Sequence, residues 1–85
     1  MSDYVLKNNL KKYRKKFKIT QDDISLKLGV KRNYYSDIER GVYVSSTLLA
    51  FKICKAINDI IFEKQGLRSR LLVDDLFYLE HKVQE

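Results

Sequence analysis

Lys31, Arg32, Asn33 and Tyr34 are followed one turn later by Asp37, so donors, acceptors and a ring crowd a short span of the chain. Guanidinium, carboxamide and carboxylate groups in that order form a recognition pattern, not a reactive centre. Hydrolytic or group-transfer chemistry needs a nucleophile beside a base, a metal site or paired carboxylates. The chain has one cysteine and one histidine, Cys54 and His81. Cys54 falls in an apolar helical stripe, and His81 lies in a C-terminal turn where a positive charge suits a helix end. Asp22-Asp23 and Asp74-Asp75 are adjacent pairs at helix starts, which splay apart and suit capping better than acid/base work. No glycine-rich loop is present to cradle a phosphate. These residues predict a protein that is not an enzyme, with no cofactor and no metal.

The charge pattern points to a partner. Seventeen Lys and Arg stand against eleven Asp and Glu, a formal charge of +6, and the whole excess lies in residues 1–40 while residues 41–85 are balanced. Such a field favours a polyanion. At 85 residues and 45% apolar content the chain is one small globular unit. A core this thin gains from self-association. The longest stretch without a charge, Gly41 to Phe51, is eleven residues, far short of the ~20 that span a bilayer. Asp3, Lys7, Lys11 and Lys12 interrupt any signal-peptide core, so a cytoplasmic location and no membrane partner are expected. One cysteine builds neither an intramolecular disulfide nor a thiolate zinc site.

The elements that would position Lys31 to Asp37 are marked by local signals. Leu6, Leu10, Tyr13 and Phe17 fall on one helical stripe and predict a first helix between Tyr4 and Phe17, with lysines on its other faces. Thr20 followed by Gln21, Asp22 and Asp23 reads as a helix start, and Gly29 as its stop after about eight residues. A third short helix runs from about residue 31 to 40 and ends at Gly41. Ser46 caps a fourth helix beginning at Thr47, which either breaks at Asn58-Asp59 or runs on to Gln65. A last amphipathic helix is expected near residues 72–82. No segment shows sustained strand alternation, so the predicted fold class is all-α.

Two helices of about eight residues joined by a tight glycine turn form the helix-turn-helix pattern, whose second helix enters the DNA major groove. The stretch Thr20-Gln21-x-x-Ile24-Ser25-x-x-Leu28-Gly29-Val30-x-Arg32-x-x-Tyr35-Ser36-x-Ile38-Glu39-Arg40-Gly41, continued by Lys52-Ile53-Cys54-Lys55-Ala56-Ile57, closely resembles the phage-repressor and Cro type of helix-turn-helix domain, the XRE family. The resemblance implies a five-helix lambda-repressor-like bundle with a longer than usual helical C-terminal extension. It also implies a sequence-specific regulator of transcription on double-stranded DNA. Ile24, Leu28, Val30 and Ile38 would fix helix two against helix three. Arg32, Asn33, Tyr34 and Asp37 would then read bases: Arg pairs bidentately with guanine, Asn with adenine, a carboxylate accepts from cytosine, and Tyr34 touches a thymine methyl or a phosphate. On the same resemblance, Gln21 donates to a phosphate, and the loop after Gly41 offers Arg40 and Tyr43. Lys31 replaces the usual Ser or Thr cap and brings a charge beside DNA, and Lys11 and Lys12 give further phosphate footing. Tyr35 stands where Ile or Val is usual, so its ring should be largely buried with the hydroxyl reaching out.

The chain divides on this reading into a DNA-binding part, residues 1–58, and a C-terminal helical dimerisation extension, residues 59–85, packed on the same domain. Ile60, Ile61, Phe62, Leu72, Leu76, Phe77 and Val83 belong to a tail with more apolar residues than one face of a small domain can hide. A symmetric homodimer would cover the first six and set two recognition helices ~34 Å apart on a palindromic operator, most simply as a repressor. The alternative is an antitoxin, or a controller protein of a restriction-modification system, whose tail also binds a protein partner.

Overall fold

Thr20 begins the best-defined local structure in the chain. Its hydroxyl accepts the Asp23 N–H at 3.0 Å while the Asp23 carboxylate accepts the Thr20 N–H at 2.9 Å. This reciprocal box satisfies two backbone donors at the start of α2, Gln21–Leu28. The computed structural model describes residues 3–82, so Val83 lies outside the described residues. Around α2 the order is β1 Tyr4–Asn8, α1 Leu10–Lys16, then α2, α3 Arg32–Glu39, α4 Thr47–Gln65, α5 Val73–Leu76 and β2 Phe77–His81.

Five helices are present among the described residues, but the fold is not all-α, because Tyr4–Asn8 and Phe77–His81 pair as an antiparallel ribbon. Leu6 stands opposite Leu79, and Asn8 opposite Phe77. The predicted first helix therefore begins only at Leu10. Leu6 keeps its place against the core, as the stripe through Leu10, Tyr13 and Phe17 requires, but it does so from a strand. Asn8 makes the break: its carboxamide oxygen accepts the Leu10 N–H at 3.1 Å, and its nitrogen donates to the Ile38 carbonyl at 3.1 Å. At the other end the expected helix over 72–82 is a single turn. Asp75 accepts the Leu72 N–H at 2.7 Å, and the chain extends from Phe77 onward.

Helix α4 runs unbroken through Asn58 to Gln65 and stops at Gly66, whose φ of 67° suits a residue without Cβ. Asn58 does not act as a cap. Its carboxamide faces the tail, donating to the Leu71 carbonyl at 2.9 Å and accepting from the Leu71 N–H at 3.1 Å and the Ser69 hydroxyl at 2.6 Å. These bonds lay residues 69–71 along α4. Ile53, Ile57, Ile60 and Ile61 of α4 meet Leu10, Ile24, Tyr35, Ile38, Leu76 and Phe77 in one core. Each such apolar side chain contributes roughly 1.5–3 kcal/mol when fully buried. Ile60, Ile61, Leu76 and Phe77 are thus core residues of the single chain and not the dimer surface expected from the sequence. The ribbon and the last turn fold back over α4 and use this apolar surplus internally. Phe62 and Leu72 remain exposed.

Three helices are tied together by one carboxylate. Glu39, the last residue of α3, receives Arg14 Nε at 3.0 Å and Nη2 at 2.8 Å from α1, and Gln21 Nε2 at 3.2 Å from α2. The Arg14 and Glu39 side chains are only 14% and 4% exposed. Arg14 Nη1 also donates to the Ile19 carbonyl at 3.2 Å, closing the turn before α2. Burial alone would push the Glu39 carboxyl up. The hydrogen bonds from Arg14, with the nearby Tyr35 hydroxyl and Gln21, outweigh it and hold the group below the ordinary carboxylate range. The Tyr35 ring is buried as expected, but its hydroxyl is buried too and lacks a hydrogen-bond partner of good geometry. Burial and the field of Glu39 raise that phenol well above its usual value.

Glu39→Gln leaves Arg14 without its counter-charge and is expected to cost about 3 kcal/mol at neutral pH, near the low end for a broken buried pair. The folded-state pKa of Glu39 is depressed. Its contribution is therefore complete above the unfolded value, about 4.3, and is lost as pH falls through the lowered folded value. Denaturant unfolding across pH should show the gap between wild type and Glu39→Gln closing in acid; a gap that is constant with pH would contradict this linkage.

Candidate nucleic-acid interface

The turn between α2 and α3 is built from backbone. Gly29 has φ of 74°, its N–H donates to the Leu26 carbonyl at 3.2 Å, and the Val30 N–H donates to the Ser25 carbonyl at 3.0 Å. Ser25 is buried and its hydroxyl bonds back to the Asp22 carbonyl at 3.1 Å, so a small residue lets the two helices approach. Ile24 and Ile38 are fully enclosed, while Leu28 and Val30 pack against them partly buried. This core fixes which side of α3 faces outward.

Lys31, Arg32, Asn33 and Tyr34 are all exposed at the N-terminal end of α3. Lys31 stands at the cap position with no side-chain cap bond, leaving its extended backbone and its charge at the helix start. Arg32 Nε lies 3.9 Å from Asp22 Oδ1 in α2, with both side chains largely in solvent. A surface pair at that distance is worth well under ~1 kcal/mol and exchanges readily for a better acceptor. Asp37 differs from its neighbours. It is half-buried, its carboxylate is paired with Arg40, and its carbonyl accepts the Val42 and Tyr43 N–H groups at 2.8 and 3.4 Å. Its charge is thus already occupied, and Asp37 anchors the loop after α3 in addition to facing outward.

Gln21 donates one of its two amide hydrogens to Glu39, which ties the start of α2 to the end of α3 and leaves the second for another acceptor. Arg40 is exposed in its pair with Asp37, and Tyr43 is exposed beside Tyr34. Lys11 and Lys12 are both exposed on α1 but face different ways. At 3.6 residues per turn Lys11 lies about 60° round the helix from Arg14, whereas Lys12 lies about 160° away. Since Arg14 faces α3, Lys11 borders the helix-turn-helix side and Lys12 points from it. Tyr13 and Phe17 pack partly buried on the core, with Lys16 near both rings.

The sequence reading missed the Arg14–Glu39–Gln21 cluster. Arg14 was hidden among lysines, but Glu39 carried a signal: an acid in the last turn of a helix opposes the macrodipole and calls for a cation. Cys54 is buried, its thiol donates to the Leu71 carbonyl at 3.0 Å, and burial pushes its pKa up, as suits an inert core residue. Among the described residues no cluster of His, Cys, Asp and Glu could hold a metal ion, and no helix is long and apolar enough to cross a membrane.

Comparison with known proteins agrees with this geometry. The family model described as Helix-turn-helix matches residues 10–60. The HTH-type transcriptional regulator YgzD of Bacillus subtilis is 35% identical over 77 residues, covering 91% of this chain and 98% of its own. The HTH-type transcriptional regulator MJ0272 of Methanocaldococcus jannaschii is 50% identical over 50 residues, 59% of this chain and 76% of that protein. An HTH-type transcriptional regulator of Archaeoglobus fulgidus is 34% identical over 67 residues, 73% of this chain and 94% of that one. No solved structure matches the chain. With Lys31 and Arg32 exposed at the start of α3 and a family match spanning the α2–turn–α3 unit, the chain belongs to the XRE-type helix-turn-helix family and is a DNA-binding regulator, not an enzyme.

Proposed function

We propose that this regulator acts in the cytoplasm as a homodimeric repressor, laying α3 of each copy in the major groove of a palindromic operator. The observation that carries the proposal is the row Lys31, Arg32, Asn33 and Tyr34, solvent-facing at the N-terminus of a helix that α1 and α2 hold by side-chain bonds. In a helix-turn-helix protein that end of the helix meets base edges. Arg32 would exchange its distant contact with Asp22 for guanine, and Asn33 would pair with adenine. Lys31, Lys11, Arg40 and the second amide hydrogen of Gln21 would contact phosphates, with Tyr43 close by. Asp37 reads cytosine only if DNA draws Arg40 away from it.

Self-association is supported by what the fold leaves outside. Leu72 is 65% exposed, and Phe62, Leu48 and Phe51 are large apolar side chains left in solvent on α4. Burying such groups against a second copy also gives the two-fold symmetry that a palindrome demands. The same exposed Phe62 favours the second reading, in which a protein partner binds this tail.

Arg32→Ala is expected to lose roughly 1–3 kcal/mol on the cognate duplex and little on random DNA; equal losses on both would contradict base reading by Arg32. Lys11→Ala should lower the slope of log affinity against log salt by about one, and Lys12→Ala should leave it unchanged. Identical slopes for the two variants would contradict the side of α1 assigned to DNA. Sedimentation of Leu72→Glu, which leaves the core intact, is expected to show monomer where wild type is dimer. A dimer that persists would remove Leu72 from the interface.

A further inference from the structure

Tyr34 and Tyr43 form a ring pair on the outer side of α3, with centroids 5.7 Å apart and planes tilted by 42°. They are 42% and 52% exposed, so each covers part of the other while both keep an edge in solvent. The backbone holds Tyr43 there. Gly41, at φ of 83°, reverses the chain after α3, its N–H donates to the Ile38 carbonyl at 3.0 Å, and the N–H groups of Val42 and Tyr43 converge on the Asp37 carbonyl. The Asp37–Arg40 ion pair lies across the same turn. A loop fastened at four points to the last turns of α3 thus lays one ring against a residue of its first turn.

We infer that Tyr43 is a positioning residue for sequence reading: its ring holds the Tyr34 ring in one orientation, in which it packs against the C5-methyl group of a thymine in the major groove. The inference rests on the reading that α3 enters that groove. An unbraced tyrosine would divide its time among rotamers and lose part of its contact on ordering. An aromatic pair of this geometry is worth about 0.5–1.5 kcal/mol beyond buried area, or roughly two- to tenfold in a binding constant. The methyl is the one apolar mark that distinguishes thymine in the major groove. A ring edge held over it reads shape without needing a hydrogen bond, and the hydroxyl of Tyr43 has no part in the effect.

The probe is the duplex that the chain enriches from random sequence, with each thymine replaced in turn by uracil, which lacks only the methyl. Wild type is expected to lose about fourfold at one thymine per half-site, the worth of one buried methyl group, and Tyr34→Ala to lose that preference entirely. Tyr43→Ala should lower the thymine-over-uracil ratio severalfold, whereas loss of a phosphate contact alone would weaken both duplexes equally and leave that ratio unaltered. Tyr43→Phe should keep the ratio, and Tyr34→Ala/Tyr43→Ala should match Tyr34→Ala alone. An unaltered ratio in Tyr43→Ala overturns the inference, as does a ratio lost in Tyr43→Phe, since a hydroxyl contact would then be responsible. If no sequence is enriched, the groove-reading proposal itself fails, an outcome distinct from an enriched site whose uracil profile ignores Tyr43.

Discussion

The carboxylate of Glu39 ends a helix whose macrodipole repels it, in a position nearly closed to water. It is tolerable there only because Arg14 grips it with two bonds and Gln21 adds a third. That requirement links α1, the start of α2 and the end of α3 to one atom pair. A buried ion pair is not a strong source of stability compared with apolar residues of the same volume. What it supplies here is direction, because a bidentate guanidinium contact fixes angles that packed isoleucines leave loose. The Ile24–Ile38 contact holds α3 against α2, and the Glu39 cluster sets its orientation.

The parts of the fold marked by neighbouring residues were legible in the sequence. Thr20 with Asp23, Gly29, Gly41 and Ser46 each carry their signal within a few positions, and the structure places helix boundaries at or beside them, whereas the local signals at Asn58-Asp59 and at Gln65 left the end of α4 open. The ribbon carried no such signal. Tyr4–Asn8 forms a strand because Phe77–His81 lies beside it, a pairing across most of the chain, and Leu6 has the same spacing from Leu10 whether it sits on a helix or a strand. The tail is subject to the same non-local pairing. Ile60, Ile61, Leu76 and Phe77 are surplus only if the last segment forms one more amphipathic helix; with that segment folded over α4, they are core.

The proposed recognition surface is legible in the kinds of residue it uses but not in their state. Composition and motif picked out Lys31 to Asp37, but the sequence did not show that Asp37 is held by Arg40, that Arg32 lies near Asp22, or that Tyr34 has Tyr43 beside it. Electrostatic readouts of this kind depend on which side chains meet across turns. The concentration of net charge in residues 1–40 acquires a physical meaning in this setting. The lysines that adjoin the helix-turn-helix raise the potential where phosphates would lie, and the charge-balanced remainder builds most of the core and carries exposed apolar groups.

Selection of bound duplexes from a random pool decides whether α3 reads a DNA sequence. Two inverted half-sites centred about one helical turn, ~34 Å, apart should be enriched. Recovery of duplexes with no shared sequence, bound through charge alone, would contradict that reading.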